Sequence, residues 1–473
     1  MTNDEIVDEL ERAHANYKIN IDEKDVFDYF PLFALTFWHV RTAELPKRKS
    51  AYLSAIRSNI SLDTLFNNFT PQRVLAFKHN RRLKDTEKLF FSRPNHFTAI
   101  KGQFKKFDRV LDPLYEQLSD SKNCKKVIIG RLNNVDPHHK ALYWFARKPH
   151  KTMNIELEME RVDEFISITG ASDVRDKFIK ALIRNMSLFN VSFRYWEKVF
   201  QKSNKLETLY ISTWYSPDVM GIIAAAKEHS IKTVDVQHGI QLNSHPMYLK
   251  NFRSMSHIKL ITPDSFLKWE ECSQKLDHKF GYMWPYYWRE KYEMRNSTMY
   301  LTKEVNLLVS LEQPTIDCPN RIPSFLLEFL MRNRTLRVNL RVHPNDLSGR
   351  HILQDYLKNM DLGNVQISDG SSDLYADLDH TTHHLSRHSS VCKDAEFFKV
   401  RNIIFGDGET SFKNEIKDNK YAWIPNSADE LYSVLTLGAV PEFALRDMKE
   451  EYETGSGQLG LFECTVRIDD NNE

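Results

Sequence analysis

The chain has 473 residues, with 65 Lys plus Arg against 64 Asp plus Glu and a formal net charge of +1. At roughly 150 residues per domain it has room for two or three domains. Its 41% hydrophobic, 27% charged and 12% aromatic content describes a folded globular protein, and the near-zero charge argues against a nucleic-acid partner.

Five scattered cysteines with no C-x-x-C pair point to buried thiols in a reducing compartment. The acidic, polar stretch Met1 to Lys24 is not a secretory signal, and no run of 18 apolar residues occurs. The expected localisation is cytoplasmic, with peripheral attachment to the inner membrane face left open.

Residues 1 to about 120 read as a helical N-terminal region, with helices at Glu5–Ala15 and Lys49–Arg57 and weak strand signals. Lys47, Arg48, Lys49 and Arg57, then Lys78, Arg81, Arg82 and Lys84, make it locally basic. That is a solvated face or a contact for anionic lipid or a lipid-linked acceptor.

From about 125 the pattern changes. Val127-Ile128-Ile129 is a buried strand, and residues 155 to 202 are helical with Phe165, Phe178, Leu182, Met186, Phe189, Phe193 and Trp196 as core. Thr208–Ser212, Ile231–Val236 and Ile258–Thr262 read as strands, with a helix over Pro217–His229. The aromatic segment Phe280 to Thr302, including Trp284-Pro285-Tyr286-Tyr287-Trp288, reads as a crossing between domains.

A second series follows. Val305–Leu311, Leu336–Val342, Asn364–Ser368, Asn402–Phe405 and Tyr421–Ile424 are predicted strands, separated by helices at 323–332, 352–359, 391–398 and 427–435. The expected domains are residues 1–120, helical; 121–290, a Rossmann-like acceptor domain; and 303–450, a Rossmann-like donor domain. Strands alternating with helices indicate parallel sheets, whose ligands bind beyond the carboxyl ends of the strands.

Three places at predicted strand ends or helix starts hold polar side chains. His238, in Gln237-His238-Gly239, can project into a cleft as a general base, or be satisfied at a turn. Arg341 and His343, before Pro344, can clasp a phosphate, or end a strand exposed to water. Ser389 and Ser390 can cap the helix from Val391 or add two hydroxyls to an anion site, with Asp394 one turn in as an acceptor for ribose hydroxyls. His380, His383, His384 and His388 cluster in what reads as a His-rich turn, and a metal there is not expected. The Asp377-Leu378-Asp379 pattern is read as chance, and the glycine-rich phosphate loops of dinucleotide oxidoreductases and P-loop NTPases are absent.

Together AAAKEHSIKTVDVQHGI (224–240), RVHPND (341–346) and SSVCKDAEFFKVRNIIFG (389–406) resemble motifs of bacterial surface-polysaccharide glycosyltransferases of the GT-B fold. The relatives so implied are capsule, polysialyltransferase-like and Kdo-transferase-like enzymes and CDP-glycerol glycerophosphotransferases. The resemblance spans about residues 205 to 440. It implies an α/β, GT-B-like fold of two Rossmann-like domains facing a cleft, with a mainly helical N-terminal extension.

It further implies that His343, Ser389 and Ser390 hold a nucleotide phosphate, with Pro344 of the same "HP" motif among the donor-binding residues, that Asp394 sits near the ribose, and that His238 is the base. Glu312-Gln313-Pro314 is similar to a "QP" motif of enzymes using CMP-sugars, which brings in Gln313. The implied reaction moves a sugar from a nucleotide-sugar, CMP-linked by preference, to a surface polysaccharide or lipid-linked glycan, without a metal or cofactor. Transfer of a polyol phosphate from a CDP-polyol, or a non-catalytic role in polysaccharide assembly, are the alternatives. The acidic base motif of bacterial sialyltransferases is absent, and Val400-Arg401 stands where Gly-Pro is usual, which marks a divergent or inactive member.

Overall fold

In a computed structural model of the protein, the described residues are 30–44, 82–98, 100, 105–120, 122–129, 137–144, 159–169, 172–239, 246–248, 261–269, 277–285, 287–288, 305–312, 321–343, 346, 349–358, 360, 362–368, 373–387, 389–398, 400–405, 422–424 and 427–436. The expected helices at 5–15 and 49–57 and most of the basic tract lie outside them.

Strands β1 (Lys88–Ser92), β4 (Cys124–Ile129), β5 (Ala141–Trp144), β6 (Thr208–Ile211), β7 (Lys232–Val236), β8 (Ser265–Lys268) and β9 (Asp277–Lys279) form one parallel sheet, in the order β5-β4-β1-β6-β7-β8-β9. The short strands β2 (Phe97–Thr98) and β3 (Phe107–Asp108) pair antiparallel beside it. A second sheet holds β10 (Asn306–Ser310), β11 (Arg337–Arg341), β12 (Val365–Ser368), β13 (His383–Ser386), β14 (Arg401–Phe405) and β15 (Ala422–Ile424), in the order β12-β11-β10-β13-β14-β15. Numbered within each sheet, both orders begin 3-2-1-4-5-6, the doubly wound Rossmann arrangement. Two such units in tandem make a GT-B-like α/β fold.

The strands are apolar because helices cover both faces of each sheet. In the first, Leu89, Phe91, Leu209 and Ile211 face the helices Arg175–Phe200 and Pro217–Glu228. Phe90, Tyr210 and Val234 face the helix Asp112–Ser119. The two helices of the first face pack so closely that a side chain at Gly221 would meet the Phe189 carbonyl. The N-terminal helix Phe30–Glu44 joins them through Phe33 and Phe37, which meet Phe165 and Phe178, and through Thr36, whose hydroxyl accepts from Asn185 at 2.9 Å.

Three expectations are corrected. The N-terminal region is not helical throughout: Lys88–Ser92 is a central strand, paired with both β4 and β6. The third strand of the first series is Ser265–Lys268, while Ile261 and Thr262 form a turn before it. His383 and His384 stand in a buried strand between β10 and β14, not in a turn.

The crossing segment supplies Trp284, Tyr287 and Trp288 to a core shared with Phe107 of the first unit and Leu308, Tyr375 and Phe398 of the second. Strands β6 and β10 lie in separate sheets. Cys124 and Cys392 are buried thiols, pushed up to about 11 and about 12 by burial. No helix among the described residues is long and apolar enough to cross a membrane.

Candidate active-site cleft

In a doubly wound sheet, successive strands wind away in opposite directions from one pair, and a crevice opens at the carboxyl ends of that pair. In the first sheet the pair is β1 and β6. Arg93 follows β1, and its guanidinium binds the Asp218 carboxylate at 3.1 Å and the Ser216 hydroxyl, both at the start of the helix after β6. His96, one turn further, meets the Ser212 hydroxyl through Nδ1 at 2.9 Å. Thr213 takes φ 65°, a left-handed conformation uncommon for a non-glycine residue, as the chain leaves β6. The next residue, Trp214, donates its N–H to Asp235 of β7 at 3.2 Å.

The space beside this crevice is lined from β7, β8 and the crossing segment. His238 follows β7, where its Nε2 lies 3.3 Å from the Tyr215 hydroxyl and its ring stacks on His96 with centroids 5.3 Å apart. Gln237 is locked in place: its amide donates to the Gly239 carbonyl at 2.8 Å, and its oxygen accepts from Trp269 N–H at 2.9 Å. Trp269 packs on Tyr282 with centroids 4.2 Å apart. Arg109, His238, Gln237, Trp269, Tyr282 and Trp284 are among the residues that line a shallow, partly open cleft. Gly281, at φ 81°, allows the chain to turn between Phe280 and Tyr282.

The electrostatics centre on Arg109. Its side chain makes no ion pair or hydrogen bond among the described residues, yet its charge acts on His96, Tyr282 and Asp394. Burial, then Arg109 and Arg93, holds the His96 imidazole well below its ordinary range, so it is neutral. A half-buried guanidinium, an imidazole and aromatic faces suit an anionic ligand carrying a ring.

The second unit places the sequence-predicted residues unequally. His343 follows β11 and is half-buried, and Ser389 and Ser390 follow β13. Strand β10 lies between β11 and β13, so the three residues flank the second switch point, across which Arg387 and Glu312 stand 3.9 Å apart. Ser389 Oγ accepts from the Val391 N–H at 3.3 Å in a turn just before the helix, whose N-cap residue Ser390 makes no side-chain capping bond. Gln313, Pro344 and His388 lie outside the described residues.

Two predicted donor residues face inward instead. Arg341, its side chain 8% exposed, pairs with Asp377 at 2.6 Å. The Asp377-Leu378-Asp379 pattern is therefore an anchor within the second unit: one carboxylate holds an arginine and Leu378 is buried. Asp394 is buried, and its Oδ1 accepts from both Tyr282 and Tyr375 hydroxyls at 2.6 Å. Its carboxyl sits above the ordinary range because burial outweighs the two hydroxyls and the charges of Arg109 and Arg341. Through Oδ1, Asp394 ties the cleft-lining Tyr282 to Tyr375 of the second unit.

His384 bridges three strands. Asn402 donates its amide to the Cys392 carbonyl at 3.0 Å, which fixes Asn402 Oδ1 as the acceptor for His384 Nδ1–H at 2.7 Å. His384 Nε2 then accepts from the Ser310 hydroxyl at 2.8 Å. The ring is a neutral strut, pushed down to about 4 by burial.

Arg93, His96, Arg109, Tyr215 and Tyr282 were not expected at the site. Arg93 and His96 follow a strand that had no clear sequence signal, and a lone Arg or Tyr carries no motif.

No protein-family model matches the chain. No curated protein matches it either. Solved structures similar to it include the UDP-GlcNAc 2-epimerase from Methanocaldococcus jannaschii, at 10% identity over 73% of this chain and 91% of that one, with a TM-score of 0.43. A putative UDP-N-acetylglucosamine 2-epimerase from Listeria monocytogenes is similar at 9% identity, 75% and 88% coverage and a TM-score of 0.47. Acinetobacter baumannii MurG is similar at 9% identity, 74% and 90% coverage and a TM-score of 0.36.

Proposed function

We propose that the protein is a GT-B-type glycosyltransferase that moves a sugar from a nucleotide-activated donor to a glycan acceptor, with a CMP-sugar as the favoured donor and a surface polysaccharide or lipid-linked glycan as the acceptor. The observation that carries this reading is the cleft beside the first switch point, where Arg109, His238 and the packed Trp269–Tyr282 pair meet. Arg109 would take the donor phosphate and the aromatic faces a sugar or base. His238 would accept the proton of the attacking acceptor hydroxyl, oriented by Tyr215 and by the neutral His96 ring against which it stacks.

His343, Ser389 and Ser390 would complete the phosphate site from the second unit. The leaving phosphate would be neutralised by arginine and hydroxyl donors, so Mg²⁺ or Mn²⁺ has no part in the step. Asp377, which a metal-dependent reading would need, is held by Arg341.

The test has two arms. A thermal-shift screen with CMP, CDP, UDP and GDP should show one nucleotide raising the melting midpoint, because a ligand that binds the folded form stabilises it. In the second arm, His238→Ala should keep nucleotide affinity but lose turnover by about 10²-fold or more. Full activity in His238→Ala would remove it from the mechanism. Loss of nucleotide binding would move it to the donor site.

A further inference from the structure

We propose that Glu116, His138 and His139 form a binding site for a divalent transition-metal ion of the Zn²⁺ class. Glu116 stands on the helix Asp112–Ser119, and the two histidines lie just ahead of β5. One ligand atom from each lies within 4.8 Å of the other two. Glu116 Oε1 is 3.1 Å from His139 Nε2 and 3.8 Å from His138 Nε2.

These separations suit a metal. Zinc holds imidazole nitrogen and carboxylate oxygen at about 2.0–2.2 Å, so two such ligands at a tetrahedral angle stand about 3.3–3.5 Å apart. The two observed distances bracket that value. Two adjacent histidines present Nε2 toward one carboxylate oxygen, with their rings 4.7 Å apart at 79°. Aromatic neighbours hold each ring: His138 stacks on Phe107 at 4.3 Å, and His139 packs on Tyr115 at 4.7 Å.

An outer partner is also in place. The Tyr287 hydroxyl donates to Glu116 Oε1 at 2.6 Å, the kind of hydrogen bond that orients a ligating carboxylate. Tyr287 belongs to the crossing segment and packs near Trp284 and Phe107. A metal here would link the helix, the segment before β5 and the crossing segment. Two imidazoles and a carboxylate favour Zn²⁺, Co²⁺ or Ni²⁺ over Mg²⁺ or Ca²⁺, which prefer oxygen sets. Three protein ligands leave a fourth position for water. None of the three residues lines the cleft, so the site is separate from the proposed transfer chemistry.

The test uses the full chain, stripped with a chelator, desalted and titrated with Zn²⁺ by calorimetry and with Co²⁺ by its visible absorption. Glu116→Gln removes the charge but keeps an oxygen for Tyr287, so it preserves the packing. The site predicts one equivalent fewer in Glu116→Gln and in His139→Ala than in the wild type. It also predicts a Zn²⁺-dependent rise in melting midpoint that Glu116→Gln lacks. Tyr287→Phe should weaken binding by about 10–100-fold, and the exposed His380→Ala should not change it. A wild-type chain that takes up neither ion overturns the proposal. So do Glu116→Gln and His139→Ala that bind with wild-type stoichiometry and affinity.

Discussion

Replacing Arg341 with Ala separates two roles for this arginine. As a donor-phosphate ligand its loss would weaken nucleotide binding and leave stability nearly unchanged. As the partner of Asp377 its loss would leave that carboxylate without its cation. Removing one member of a fully buried pair costs about 3–5 kcal/mol. The Asp377 side chain keeps 19% exposure, so water offsets part of this, and about 2–3 kcal/mol is expected. For a unit of 150–250 residues each kcal/mol moves the midpoint by about 2–4 °C, which gives a fall of about 4–12 °C. The assay is a denaturation curve on Arg341→Ala, Asp377→Asn and the double variant, beside nucleotide calorimetry. The double variant should recover part of the loss, because it leaves no orphaned charge. A normal midpoint in Arg341→Ala together with weakened nucleotide binding would refute the inward pairing and return Arg341 to the donor site.

Arg109→Ala should act in the opposite way: it strands no paired carboxylate among the described residues, so the midpoint should hold. Nucleotide affinity should fall about ten- to a hundredfold in calorimetry, the loss of a hydrogen bond of about 1.5–3 kcal/mol to a charged group. His384 predicts an acid limb to stability. It is neutral in the folded state with its value pushed down to about 4, while the unfolded chain takes up a proton near 6.5. Its contribution is therefore complete above about pH 6.5 and is lost as pH falls toward 4; His384→Gln should flatten that slope in pH-dependent melts. Gly221→Ala should destabilise the first unit by about 1–3 kcal/mol in chemical denaturation, because its Cβ would collide with backbone of the neighbouring helix.

What the chain reveals before folding is set by how local each signal is. Strands such as Thr208–Ile211 and Asn306–Ser310 are short, mostly apolar and buried runs, and they stand where the pattern puts them. The aromatic crossing segment was legible from five consecutive residues, and the position of His238 followed from the strand before it. Lys88–Ser92 escaped because four apolar or small residues between charged neighbours are too short to give a period. His383–Ser386 escaped because two histidines read as polar, although Ser310 and Asn402 satisfy one of them inside the sheet. Contacts between distant residues carry no local trace. Tyr282 and Asp394 are separated by 112 positions, and Arg341 and Asp377 by 36. The motif that placed Arg341 and Asp394 at a donor site could not show that each is already engaged by a partner. The Glu116–His139 pairing is of the same long-range kind.

The two switch points explain why the cleft lies where it does. In the first sheet, Arg93 reaches across to Ser216 and Asp218, and His96 reaches across to Ser212, so the crevice between β1 and β6 is filled by the protein's own polar groups. Each of those contacts satisfies a buried or half-buried group, and a ligand entering there would have to replace them. The open volume is displaced toward the ends of β7 and β8, where Gln237 is locked by backbone partners and His238 projects from the strand end. His96 still acts on that volume, because its neutral ring is the surface on which His238 stacks. The filled switch point thus becomes the support of the neighbouring cleft. Tyr282 closes the other side and is tied to the second unit through Asp394, so a change in the relation of the two units would be felt directly at the cleft wall.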